Sequence, residues 1–247
     1  MPNEGRWRRF NLNPKIGLKL QPIASRGITR RVRPPDLHPT PLEQTRVPDL
    51  HSPMLTDTSY ELLRLLASPV VAVTSASRGR LNGMILDSAI RASISPQVPR
   101  ISVYVHKWHL SHEYIWETGV YGLHLLRADQ FELIHRLGFV SGRERDKLTG
   151  LDYRTGPLGV PLLEDCRAGF ECRVVNTMDA GASTCFLADI VATYPKRDGD
   201  IMTADYFRAN LPEAWREEFA KNYREAQERI AQAPKPTPIT WPGPRRD

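Results

Sequence analysis

The segment GFECRVVNTMDAGASTCFLADIVATY, Gly169 to Tyr194, constrains this chain more than any other. Phe170, Cys172 and Val174 alternate with polar residues on its first arm, and Phe186, Ala188, Ile190 and Ala192 alternate on its second. A period of two describes strands with one buried face, and Asp179-Ala180-Gly181 between the arms supplies turn residues. A long antiparallel hairpin follows. VVAVTSAS (70–77), LNGMILDSAI (81–90), RISVYVH (100–106) and VYGLHLL (120–126) read as four further strands. Asn82-Gly83 is a strong hairpin dipeptide, because both residues tolerate positive φ, so a corner is expected there. Asp87 and Ser88 then put an acid and a hydroxyl inside a segment that should be buried, which raises the question of a ligand against Asn82-Gly83-Met84.

Helices are sparse and peripheral. A capping box at Thr58 and Glu61 predicts a helix over Thr58–Leu66, ended by Pro69. Ser111 can cap a helix over His112–Thr118, stopped by Gly119. Asp129 and Glu132 open another through Leu137, and Pro212 sits near the first turn of a last one. On that last helix Trp215, Phe219, Tyr223, Ala226 and Ile230 form an apolar stripe that reads as packing. Dense strands joined mostly by hairpins indicate a mainly β fold, a small antiparallel barrel with peripheral helices.

The ends differ from this body. Residues 1–53 hold nine of the 21 prolines and 234–247 hold five, so both ends read as Pro-rich arms without packed helices. The first arm carries ten Lys/Arg against four Asp/Glu, which accounts for the whole net charge of +6. Three segments are expected: a basic arm over 1–53, a body over 54–210, and a helix with its tail over 211–247. PDLH occurs twice in the arm, at Pro35–His38 and Pro48–His51, too few copies for a solenoid. A basic arm suits docking to an acidic protein partner. Trp7 among Arg6, Arg8 and Arg9 is compatible with stacking on single-stranded nucleic acid, but the neutral body argues against it. Cys166, Cys172 and Cys185 show no CxxC spacing and read as reduced core thiols of a cytoplasmic protein. No apolar run approaches the roughly 18–20 residues that span a bilayer.

Familiar chemistry motifs do not occur: there is no GxGxxG, no GxxxxGK[ST] and no GxSxG. His106, His109 and His112 have the spacing HxxHxxH, but it straddles a strand end, a loop and a helix start, so no metal site is expected. Lys107 and the Ser111 helix start could receive an anion at unpaired N–H groups. On those residues alone, a helix cap beside a solvated lysine is the simpler account.

Several such pieces in one order alter that judgement. Ser68 to Thr74, Asn82-Gly83-Met84, Ser88 and Ser93, Lys107 to His112, DKLTGLDY (146–153), GVPLLEDC (159–166) and FECRVVNTMDAG resemble the flavin reductase-like family over residues 58–195. The resemblance implies an FMN-binding split barrel, usually homodimeric, that uses NAD(P)H to reduce flavin, with FAD as the alternative cofactor. It implies that Asn82, Gly83 and Met84 border the isoalloxazine ring, that Ser88 reaches the ribityl or phosphate end, and that Lys107, Ser111 and His112 surround the phosphate. The flavin carries such chemistry, so no protein nucleophile is needed.

Two departures bear on function. Ser183 stands where the family pattern has a histidine, and His124 is a candidate substitute. Asp87 would repel a phosphate and is expected to point away, pair with Arg91 or change the ligand. The leading expectation is an NAD(P)H:flavin oxidoreductase, of the kind that supplies reduced flavin to a monooxygenase. A flavin-binding electron carrier or complex subunit without nicotinamide chemistry is the alternative.

Overall fold

In the computed structural model, the described residues are Leu66, 68–194 and 197–244. The helix expected over Thr58–Leu66 and the basic arm lie outside them, Leu66 excepted.

Nine strands form in chain order: β1 Val71–Ser77, β2 Arg80–Leu86, β3 Ala89–Arg91, β4 Arg100–His106, β5 Val120–Leu125, β6 Tyr153–Thr155, β7 Pro161–Leu163, β8 Ala168–Asp179 and β9 Ser183–Tyr194. Seven make one antiparallel sheet in the order β2-β1-β5-β8-β9-β4-β3, and β6 and β7 pair separately. Four helices accompany them: α1 Leu110–Thr118, α2 Phe131–Gly138, α3 Ala204–Ala209 and α4 Glu213–Ala231.

The sheet curls around a single core. Val73 of β1, Met84 of β2, Val105 of β4, Leu123 of β5, Val174 of β8 and Phe186 of β9 all converge there, with Ile115 of α1 across one end. Burial of these apolar groups drives the curl, because a flat sheet would leave that face wet. A second core lies outside the sheet, where Ile134 and Leu137 of α2 meet Phe207, Leu211 and Ala72. The mainly β antiparallel expectation holds.

The long hairpin forms as its alternation requires. Gly181 takes φ 76° in the turn, Ala180 N donates to Ser183 O at 2.9 Å, and bulges near Glu171/Cys172 and Val174/Asn176 shift the register. Asn82-Gly83 is not a corner. The β1–β2 reversal uses Arg78 (φ 50°) and Gly79 (φ 72°), two consecutive left-handed residues of the kind hairpin turns need. Asn82 and Gly83 sit inside β2 opposite Ser75 and Thr74.

Two helix starts also differ from expectation. His109 is the N-cap of α1, with no side-chain cap, and Ser111 lies inside the helix. Gln130 precedes α2, while Asp129 pairs with Arg127 instead of capping. The stops behave as read: Gly119 closes α1 at φ 69°, and Pro212 is the N-cap of α4. Beyond α4 the Pro-rich tail runs back along the body. Thr237 donates through N and Oγ1 to Asp179 Oδ2, both at 3.1 Å, and Trp241 Nε1 donates to Trp116 O at 3.3 Å. Cys166, Cys172 and Cys185 are buried free thiols, and burial pushes the Cys166 thiol up to about 11 and Cys172 up to about 12.

Candidate functional site

A cleft of about 770 Å³ opens at the β2 edge of the sheet. Asn82, Met84 and Leu86 of β2 form its floor, the His106–Leu110 loop one side, the 138–147 loop the other, and α3 with α4 the roof. The loop after β4 is ordered by its own rings. His106 stacks on Trp108 with centroids 4.3 Å apart, and His109 meets His106 edge-on at 5.5 Å. His106 also shares a 2.7 Å hydrogen bond between its Nδ1 and Ser183 Oγ, directly across the β4–β9 ladder.

Polar groups in this cleft are buried but incompletely bonded. Asn82 is 3% exposed; its Nδ2 donates to Ser111 Oγ at 2.9 Å, while its Oδ1 has no partner. A Cβ on Gly142 would overlap that amide, so only glycine lets the 138–147 loop pass Asn82. His109 Nδ1 is likewise buried without a partner. Burial, together with the positive charge of its neighbours, lowers His109 to about 3, and burial lowers His106 despite the opposing pull of Asp87. Both imidazoles are therefore neutral at pH 7. Lys147 lines the cleft with Nζ donating to Leu137 O at 2.7 Å, which caps the end of α2, and burial brings it down to about 8. Arg143 bonds Glu113, and Arg208 pairs with Asp87 at 3.4 Å. Asp87 thus faces the cleft and finds Arg208, not Arg91.

The residues singled out from the sequence divide in two. Asn82 and Met84 line the cleft. Gly83 adjoins them, but a Cβ there would meet Leu137 Cδ2 at 2.8 Å, so its bareness serves α2 packing. Ser88 Oγ donates to Tyr104 O at 3.0 Å and ties the start of β3 to β4. Lys107 Nζ is ion-paired with Asp179 Oδ1 at 2.6 Å and is not among the lining residues. Lys107 in turn holds the Asp179 carboxyl well below the usual carboxylate range. Ser111 is fully buried and accepts from Ser75 and Asn82. His112 Nε2 bonds Thr184 Oγ1 at 2.8 Å, and burial with the nearby Lys107 charge lowers it to about 4.

His124 lies elsewhere, behind the sheet. Its Nδ1 reaches Ala72 O at 3.3 Å and its Nε2 accepts from Leu163 N at 3.1 Å, which requires the proton on Nδ1 and leaves no free nitrogen. Both of its nitrogens are engaged there, and it is not among the residues that line the cleft.

Sequence reasoning missed the 138–147 loop, Arg208 and the inner face of α4. It also set aside His106 and His109 along with their metal spacing. Among the described residues no three His, Cys, Asp or Glu side chains converge as metal ligands. The overlooked signal was the ring density of HKWHLSH, which builds the loop.

Comparison with known proteins agrees with this geometry. Residues 63–214 match the family model described as flavin reductase like domain. A ferric-chelate reductase (NAD(P)H) of Archaeoglobus fulgidus is 34% identical over 137 residues, 54% of this chain and 80% of that protein. The NADH-dependent flavin reductase StyB of Pseudomonas fluorescens is 31% identical over 124 residues, covering 49% and 69% of the two chains. Among solved structures, a flavin reductase domain protein from Arthrobacter sp. FB24 shares the fold at a TM-score of 0.53, with 24% identity over 59% of this chain and 88% of that one. With its sheet, the floor and side walls of its cleft and most of its length inside the matched segment, the chain belongs to the flavin reductase like family.

Proposed function

We propose that this protein is an NAD(P)H-dependent flavin reductase that takes FMN in the cleft above β2. The observation that supports this reading is a cleft of cofactor size bordered by Asn82 and His109 and walled by Trp108, Phe139 and Tyr223, in a chain of the flavin reductase like family. Asn82 Oδ1 and His109 Nδ1 are buried without a partner, as are Tyr114 OH, Tyr121 OH and Thr177 Oγ1, but only the first two belong to residues that border the cleft. The dioxopyrimidine edge of an isoalloxazine offers an N–H between two carbonyls, which suits an amide oxygen beside an imidazole. Flat apolar walls suit its ring, and the volume falls within the ~300–1,000 Å³ of cofactor sites.

When bound, the flavin supplies hydride acceptance from a nicotinamide and onward transfer of two electrons. The chain supplies position and exclusion of water. Asn82 fixes the edge of the ring, held in turn by Ser111. Trp108, whose ring stacks on His106, and Tyr223 border its space. His106 stands across the ladder from Ser183 and is neutral at pH 7, so an imidazole still borders the cleft although position 183 is a serine. The reduced flavin serves a second protein, a monooxygenase being the acceptor the resemblance implies. Buried free thiols fit a cytoplasmic setting. Ile94, 91% exposed beside Ile90 and Val98 near the β3 edge, supports a homodimer, which light scattering would check.

The test is NADH and NADPH consumption by the purified chain, with and without FMN. Flavin-dependent turnover is expected. FMN binding without turnover would favour an electron carrier instead.

A further inference from the structure

Helix α4 begins where the family match ends, at residues 213 and 214, so the part of the roof it builds lies beyond the matched segment. Its first half is anchored. Trp215 stacks on His135 at 4.3 Å, Glu218 pairs with His135 at 3.1 Å, Phe219 meets Phe207 edge-on at 5.6 Å, and Asn222 Nδ2 donates to Phe139 O at 3.2 Å. From that anchor the helix runs two further turns across the opening and presents Tyr223, Ala226 and Arg229 to the cleft.

Four cationic side chains of Lys and Arg line the cleft, and three are engaged. Arg143 is held by Glu113 and donates to Trp108 O at 3.3 Å, Arg208 lies 3.4 Å from both Asp87 and Asp205, and Lys147 is spent on Leu137 O. Among the described residues Arg229 has no carboxylate within 4.0 Å; its guanidinium lies over the Trp108 ring, 5.8 Å from the centroid. Glu225, one turn earlier, and Glu144 also line the cleft without pairing to it. Lys107, the phosphate candidate on the sequence, is bound to an Asp179 that also accepts from Gly181 N and from Thr237.

We infer that Arg229 is the phosphate receptor of the cleft, supplied by α4 and steered by the Trp108 face. The inference rests on the flavin reductase reading, and it moves the anion contact from β4 to the C-terminal helix. A guanidinium presents paired donors that match phosphate oxygens, and stacking on an aromatic plane leaves its edge free to do so. The phosphate could belong to FMN or to the nicotinamide dinucleotide, and binding distinguishes them.

The experiment titrates the full chain with FMN, riboflavin and NADH by fluorescence, comparing wild type with Arg229→Ala, Arg229→Lys and Lys107→Ala. Arg229 is exposed on a helix, where alanine is a favourable residue, so folding is retained. Arg229→Ala is expected to weaken FMN about tenfold, as loss of a charged hydrogen bond does, with riboflavin unchanged. Arg229→Lys should retain part of the affinity and Lys107→Ala all of it. Weakening of NADH alone would assign the receptor to the dinucleotide. Equal loss of FMN and riboflavin, or no change for any ligand, overturns the inference while leaving the flavin reading intact. A wild type that binds neither flavin overturns that reading itself, and the receptor with it.

Discussion

Two regions of this molecule bury polar side chains, and they treat them differently. Behind the sheet, Thr74, His124 and Glu171 are fully buried and fully engaged. Thr74 Oγ1 donates to Pro161 O, Leu163 N donates to His124 Nε2, and Leu158 N donates to Glu171 Oε1 at 2.6 Å, with Tyr194 OH on the other carboxylate oxygen. Three side chains thus fasten the strand pair β6–β7 and its turn to the sheet. In the cleft, Asn82 is buried and His109 half-buried, and each keeps one buried polar atom without a partner. Burial of a polar residue is therefore no mark of a site here. Incomplete satisfaction alone is no mark either, since Tyr114 OH, Tyr121 OH and Thr177 Oγ1 are buried without a partner and do not line the cleft; what distinguishes Asn82 and His109 is that they also border a cavity.

The sharpest way to break this comparison is acid. His109 at about 3, His112 at about 4 and His124 at about 4 all titrate below the ordinary 6.5, chiefly through burial. The unfolded chain binds more protons than the folded one between those values, so stability is fully present above pH 6.5 and falls as pH drops towards 4. Three protons correspond to a slope of about 4 kcal/mol per pH unit at its steepest, which removes about 6 kcal/mol by pH 5, the lower part of a typical 5–15 kcal/mol of stability. Urea midpoints at pH 7, 6 and 5 measure the slope. His124→Leu should reduce it by one proton and cost about 2–4 kcal/mol at pH 7, because Ala72 O and Leu163 N lose their partner. FMN affinity of the folded variant should not move. A loss of FMN binding on that substitution would return His124 to the site.

Gly83→Val sharpens the boundary between the regions. The new Cβ would meet Leu137 and Leu148, so overpacking should cost about 1–3 kcal/mol in stability. Flavin affinity should fall less than it does for a change at Asn82. Parallel thermal and FMN titrations decide this, and a stable variant that binds no flavin would show the backbone at Gly83 touching the ring.

What was legible in the sequence is what local physics dictates. Period-two alternation and Gly181 defined the β8–β9 hairpin, Gly119 and Pro212 marked helix ends, and Asn82-Gly83-Met84 pointed at the cleft floor. Asn82-Gly83 misled as a turn because the true turn, Arg78-Gly79, carries a weaker dipeptide signal, and strand pairing decided between them. Ser111 looked like a cap because spacing cannot show that its hydroxyl would be claimed by Ser75 and Asn82 from another element. Lys107 looked free because Asp179 stands 72 residues away in the chain. The position of α4 was hidden for the same reason: the apolar stripe is packing at Trp215 and Phe219, and only docking against α2 brings Tyr223 and Arg229 to the cleft.

The smallest expected effect is the most specific. Asn82→Ala removes one orphan acceptor and one donor to Ser111, and Ser111 keeps Ser75 as a partner at 3.1 Å. Stability should therefore change by less than about 1 kcal/mol, since an unsatisfied oxygen is lost along with a single neutral bond. If Asn82 Oδ1 accepts the ring N–H, FMN and riboflavin should weaken alike, by about five- to tenfold, the worth of one buried neutral hydrogen bond. That equality is what separates Asn82 from Arg229, whose loss should affect only the phosphorylated ligand. An Asn82→Ala variant that gains stability and keeps full flavin affinity would place the orphan outside the flavin contact, and the cleft would then differ from the region behind the sheet only in being less well packed.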